Sequence, residues 1–239
     1  MEKKDLVMGI IEGNGPLLKE DVIILGANLD HVGFCYEIMP GANANASGVA
    51  VMLGAAEALA RSPVRLKRSV LFIALGSKEQ GFRGSQAYLD NPLFKKEKTA
   101  VFLDLDMVGC GSQLQALGAL DQPKIWEFFE RISFGPIPQN VEPLPFDAAD
   151  RPHSDAAIFL SRHIPSILFR AYGAPTYPYT TKDTIKTITP KIMVDLARIL
   201  SLAIHDMANA DRNAFESFQV DKRTREPYIH TQRQESLSQ

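Results

Sequence analysis

Residues 21–81 read DVIILGANLDHVGFCYEIMPGANANASGVAVMLGAAEALARSPVRLKRSVLFIALGSKEQG, and their order decides the fold. The run 22–27 (VIILGA) is a continuous apolar segment, as expected for a strand covered on both faces of a sheet. A loop rich in Gly, Asn and Pro follows over 28–45. A helix is predicted from there to about Arg61, with Asn45 or Ser47 as its cap. Its small residues, Gly48, Ala50, Gly54, Ala55 and Ala58, permit close packing on a sheet. Pro63 ends it. The run 69–76 (SVLFIALG) is a second buried strand. Strand, helix and strand in that order make a parallel crossover unit, and such units place chemistry just beyond the strand ends. Asn28-Leu29-Asp30-His31 and Lys78-Glu79 both fall there.

Outward from this unit, 5–13 (DLVMGIIEG) is β-rich, and 99–109 (TAVFLDLDMVG) is a third central strand with Asp104 and Asp106 on one face. A short helix opens at Arg83. PKIWEFFERIS (123–133) is an amphipathic helix with Pro at its first turn, in which Trp126 and Phe128 read as core. Five prolines over 135–152 predict a loop with one edge strand near VEPL. SDAAIFLSRH (154–163) begins a helix, 165–171 (PSILFRA) is a strand, and a long helix follows Pro190. Beyond Arg212 the composition turns polar, predicting a flexible tail over 212–239 after a domain over 1–211. The fold class is α/β: three layers, α/β/α, with a mixed, mostly parallel central sheet.

The chain has 239 residues, 45% hydrophobic and 23% charged, enough for one large domain. A net charge of −2 argues against nucleic acid as a partner. No apolar run is long enough to span a bilayer, and the N-terminus lacks a signal-peptide pattern. Cys35 and Cys110 are expected to be buried or semi-buried thiols rather than a bridge.

The motifs Leu29-Asp30-His31, Pro40 to Gly48, Glu79-Gln80-Gly81, Leu105-Asp106-Met107, Ser154-Asp155 and Thr180 to Thr184 occur in the order and spacing of a known group. The chain resembles the clan MH zinc aminopeptidases, the family of aminopeptidase S and of the glutamate carboxypeptidase peptidase domain, over roughly residues 5 to 208. The resemblance implies a zinc-exopeptidase fold and a two-zinc site, whose ions need imidazoles, carboxylates and a general base beside bound water. Position by position, that machinery is altered. The first His ligand falls on Asn28, the bridging Asp on Ala44, the base Glu on Lys78, and the last His on Tyr179. The ligand positions matching Glu79 and Asp106 are kept. Asp30 matches the carboxylate that orients the missing His. The His after Ser154-Asp155 is Ala156. The single-zinc glutaminyl cyclase branch fares no better, since only Glu79 of its three ligand positions persists.

These substitutions give the expectations. No catalytic residue, no metal ligand set and no cofactor is expected, with a residual cleft formed by Asn28, Asp30, His31, Lys78, Glu79, Asp106, Asp155 and Tyr179. The function expected is a catalytically inactive aminopeptidase-like domain, a protein- or peptide-interaction module. The alternative is a zinc aminopeptidase with a site rebuilt from Asp30, His31, Glu79 and Asp106, or with His153. A third is metal-free chemistry on Lys78 or Tyr179. His31 otherwise reads as a loop-packing residue. Family members are often secreted, and their upstream elements have no counterpart here. In the family the peptide after the bridging Asp is typically cis; with the metal-binding residue gone, Ala44–Asn45 is expected to be trans. Lys78 is expected to point into the cleft as an internal counter-ion to Glu79, Asp106 or Asp30, because carboxylates gathered in a cleft that has lost its metal repel one another.

Overall fold

The computed structural model describes residues 6–133, 141–146, 154–211 and 214. His153, most of the proline-rich loop and the tail beyond 211 (except residue 214) lie outside them. Among the described residues the nine strands are β1 (Leu6–Ile11), β2 (Val22–Asn28), β3 (Phe34–Cys35), β4 (Glu37–Ile38), β5 (Ser69–Leu75), β6 (Thr99–Leu105), β7 (Gln113–Leu117), β8 (Val141–Leu144) and β9 (Ser166–Tyr172). The α-helices among the same residues are α1 (Ser47–Ala60), α2 (Arg83–Asp90), α3 (Pro123–Ser133), α4 (Asp155–Ser161) and α5 (Pro190–Asn209).

Seven strands form one sheet in the order β1-β5-β2-β6-β9-β7-β8. The β5-β2, β2-β6, β6-β9 and β7-β8 pairs are parallel; β1-β5 and β9-β7 are antiparallel. The four strands predicted to be central are internal, and VEPL is an edge. Strand residues alternate between two cores. Ile23, Leu25, Val70, Phe72, Leu103 and Leu105 pack against α1, α3 and α5. Val22, Ile24, Leu71, Ile73 and Phe102 pack with Tyr88 of α2 and Phe159 of α4 on the other face. The architecture is therefore three-layered, as the apolar runs imply. Trp126 and Phe128 are buried, as read. No helix among the described residues is long and apolar enough to cross a membrane.

Three strands escaped the sequence reading. β7 is QLQAL, a short run without β-branched residues. The β3–β4 hairpin interrupts the loop over 28–45 and projects Phe34 and Tyr36 outward, 74% and 95% exposed. It also carries Cys35 to the surface, contrary to the expectation of a sheltered thiol; Cys110 is buried and both are free.

Arg68 is an unexpected core residue. Its guanidinium is buried and donates to the carbonyls of Met207, Ala210 and Asp211 at the end of α5. Those carbonyls lack helical partners, and a cation there also suits the helix dipole.

Candidate functional site

The motif residues gather beyond the C-terminal ends of β2, β5 and β6, where a parallel sheet opens into a crevice. A tight turn, Ala42–Ala46, enters α1 from below. Asp183, buried and far along the chain, holds it: the backbone N–H groups of Asn43 and Ala44 donate to its carboxylate at 2.7 and 3.0 Å. The Asn45 side chain then reaches across strand ends, donating to Asn28 Oδ1 at 2.8 Å and Leu105 O at 2.7 Å while accepting from Met107 N at 3.0 Å. Gly48 lies beneath; a Cβ there would sit 2.6 Å from both Asn45 Nδ2 and Leu105 O.

This bonding corrects two expectations. The Ala44–Asn45 peptide is cis, not trans; Asp183 and the Asn45 amide fix the turn without any contribution from the Ala44 side chain. Nor does Asn45 or Ser47 cap α1. Ala46 already has helical torsions, so Ser47 lies inside the helix and its hydroxyl donates to the Asn43 carbonyl at 2.7 Å.

Lys78 forms the floor. Its ammonium donates to Asp106 Oδ2 at 2.6 Å and to Asn28 Oδ1 at 3.4 Å, with the two ionic side chains only 9% and 13% exposed. Of the three carboxylates named as partners, Asp106 is the one engaged. Burial disfavours the lysine's charge, but contact with Asp106 and the nearby Asp104 and Asp155 outweigh it, holding the ammonium above its ordinary range.

Behind this pair lie two more buried carboxylates. Asp104 accepts from Ala156 N at 2.8 Å, and Asp155 from the Ser85 hydroxyl. Burial and then the charge of Asp155 push Asp104 well up. Asp155 is pushed up to about 6, chiefly by burial, with the Ser85 bond and Lys78 working the other way.

The rim is a separate group. Asp30 pairs with no cation among the described residues; its Oδ2 accepts from Glu79 N at 3.2 Å. Glu79 is exposed and accepts from the Tyr179 hydroxyl at 3.2 Å. Burial and the Glu79 charge push that phenol up. The Tyr179 ring stacks on His31 with centroids 5.3 Å apart. Both His31 nitrogens, Asp30 Oδ1 and Asp106 Oδ1 have no hydrogen-bond partner among the described residues. The sequence reading assigned nothing to Asp183; its place in the Thr180-to-Thr184 motif was the signal.

Against known proteins, residues 7–204 match the family model described as Peptidase family M28. The chain belongs to that family. It is similar to aminopeptidase YwaD of Bacillus subtilis, 41% identical over 91 residues, 37% of this chain and 18% of that protein. Among solved structures it resembles the aminopeptidase of Aneurinibacillus sp. strain AM-1, with a TM-score of 0.72, 25% identity and coverage of 90% of this chain and 50% of that one. It also resembles a zinc aminopeptidase of Bacillus subtilis, with a TM-score of 0.71, 24% identity and coverage of 90% and 53%. The chain thus spans about half the length of these solved relatives.

These likenesses correct the expectation of no cofactor: a zinc aminopeptidase stands among the relatives, and zinc is the ion to which the family points. The donors in the cleft floor nevertheless do not fit that ion as they are arranged. Asp106 is bonded to an ammonium, the Asn28 amide oxygen is shared between Asn45 and Lys78, and Ala44 offers no donor atom. Among the described residues no three His, Cys, Asp or Glu side chains converge on a metal position.

Proposed function

We propose that this M28 domain does not hydrolyse peptides and that its cleft serves as a binding site for a peptide or protein segment. The observation that carries this is the 2.6 Å contact between Lys78 and Asp106. An ammonium stands at the position that resembles the family's general base, and it has no lone pair while protonated. With its proton held above the ordinary lysine range, it cannot take one from water near neutral pH. The rim supports the binding half of the proposal: Tyr179, His31 and Glu79 offer ring faces and a carboxylate at an accessible mouth.

The test is hydrolysis of aminoacyl-p-nitroanilides with zinc supplied. No turnover above buffer is expected, while the same preparation binds peptides in a way that Tyr179→Ala weakens. Turnover abolished by a chelator would overturn the proposal.

A second reading, a zinc aminopeptidase with a rebuilt site, is favoured by the relatives and by His31, whose two nitrogens have no partner among the described residues. In that case His31→Ala removes the chelator-sensitive turnover.

A further inference from the structure

The β3–β4 hairpin stands on the rim of the cleft. It rises just after Asp30 and His31, and its base is closed by Met39 N donating to Gly33 O at 2.8 Å. It returns through Pro40 to Gly41, where a Cβ would lie 2.9 Å from the His31 ring. Phe34 stands opposite Ile38, and Cys35 opposite Glu37. The hairpin therefore has one apolar face and one face with a thiol and a carboxylate. Tyr36 alone makes the tip. Its φ of 65° lies in the left-handed region, which glycine enters freely and tyrosine does not.

The apolar side chains of this stretch do not serve the core. Phe34 and Ile38 are 74% and 70% exposed, Tyr36 95%, and Leu29 just before them 54%. An apolar projection kept outside in spite of an unfavourable torsion marks an interaction surface. The charges say what fits it. Residues 28–41 contain Asp30 and Glu37 but no lysine or arginine. With Glu79 they put three carboxylates along the rim and hairpin, and none of the three has a Lys, Arg or His ion partner among the described residues. Lys78 is engaged by Asp106, and Lys182 lies over the Tyr177 ring, 5.9 Å from its centroid.

We propose that the segment bound at the cleft runs on along the hairpin, and that basic and apolar side chains alternate in it. The basic ones meet Glu79 and Glu37, with Asp30 adding to the field; the apolar ones pack on Phe34, Ile38 and Tyr36. This names the ligand of the cleft and rests on its reading as a peptide site. Other occupants match less well. A second copy of the chain would bring Glu37 against carboxylates like itself, and like charges across an interface oppose association. An anionic lipid surface attracts lysine and arginine, which 28–41 lacks.

The experiment is fluorescence anisotropy of a dye-labelled heptapeptide of alternating lysine and leucine, blocked at both ends so that only side chains are read. It is titrated with the 239-residue chain at pH 7 and about 50 mM salt, where surface charges are weakly screened. Saturable binding is expected. Glutamate in place of the lysines, or serine in place of the leucines, should weaken it at least about tenfold. Phe34→Ser should weaken it about tenfold. Glu37→Gln should weaken it about two- to fivefold, a difference that fades at roughly 1 M salt. Leu53→Ser, on the exposed face of α1, should change nothing. All these positions are exposed, so each variant should keep the wild-type urea midpoint. The proposal is overturned by no binding up to about 1 mM peptide, by equal binding of the lysine and glutamate peptides, or by binding unchanged in Phe34→Ser. Dimerisation, or binding to phosphatidylserine vesicles, that Phe34→Ser abolishes overturns it as well. Tyr179→Ala separates the two readings. Binding lost there but kept in Phe34→Ser retains the cleft and removes the hairpin, whereas chelator-sensitive turnover removes the reading of the cleft itself.

Discussion

Replacing Lys78 by methionine tests the floor of the cleft directly. Methionine keeps the length and most of the volume of the stem but removes the charge. In the folded protein Lys78 and Asp106 are 2.6 Å apart and only 9% and 13% exposed, so solvent screens little of their interaction. Removing one partner of such a pair leaves the other buried and uncompensated, a loss of about 3–5 kcal/mol. Here the abandoned carboxylate would also face Asp104 and Asp155. With a urea m-value of roughly 2–3 kcal/mol/M, the midpoint should fall by about 1–2 M at pH 7. Lys78→Arg should lose far less. Because the Lys78 pKa is higher in the folded protein, its contribution is complete below the unfolded value of 10.5 and fades as pH rises through the folded one. The wild-type contribution is therefore level through the neutral range. The deficit of the variant should shrink below about pH 5, where its carboxylates take up protons. An unchanged midpoint for Lys78→Met at pH 7 would refute the reasoning, as would a deficit that grows on acidification.

Three further outcomes are expected. The folded Asp155 carboxyl, at about 6, lies above the ordinary 3.8, so the native state binds more protons between those values and stability should rise as pH falls through that window, on the order of 2 kcal/mol; urea titrations from pH 7 to 4 read this, and Asp155→Asn should flatten the curve. Asp183→Ala strands two buried backbone donors of the Ala42–Ala46 turn and should cost about 2–4 kcal/mol, with faster amide exchange at Asn43 and Ala44 as the local signature. Arg68→Ala uncovers the last carbonyls of α5 and should cost about 3 kcal/mol, with exchange rising first near residues 207–211.

The legible parts of the fold are those in which one strand carries its own signal. Val22–Asn28 and Ser69–Leu75 are buried on both faces along their whole length, and continuous apolar runs announce that. Gln113–Leu117 owes its place to β8 and β9 on either side, and nothing in its five residues says so. The hairpin at Phe34–Ile38 misled because its apolar residues face solvent. In the cleft, the demand for a cation was readable from three carboxylates beside one lysine. The choice of Asp106 was not, because the register of β6 against β2 brings Asp106 beneath Lys78 while Asp30 turns to the Glu79 amide. The Ala42–Ala46 turn was the least legible, since its anchor, Asp183, lies some 139 residues away.

That last contact bears on how the chain becomes a folded molecule during synthesis. The crossover unit from Val22 to Leu75 can collapse early, for its contacts are close in sequence. The turn beneath it waits for Asp183, which is made 139 residues after Ala44. At elongation rates of about 5–20 residues per second, that is a delay of roughly 7–28 s. During this time the amides of Asn43 and Ala44 lack their native acceptor, and α1 lacks its α5 neighbour, which also arrives late. The cleft therefore takes shape late, just ahead of the docking of α5. A ribosome-bound chain stopped before residue 183 would carry a formed β2–β5 pair and an unformed site.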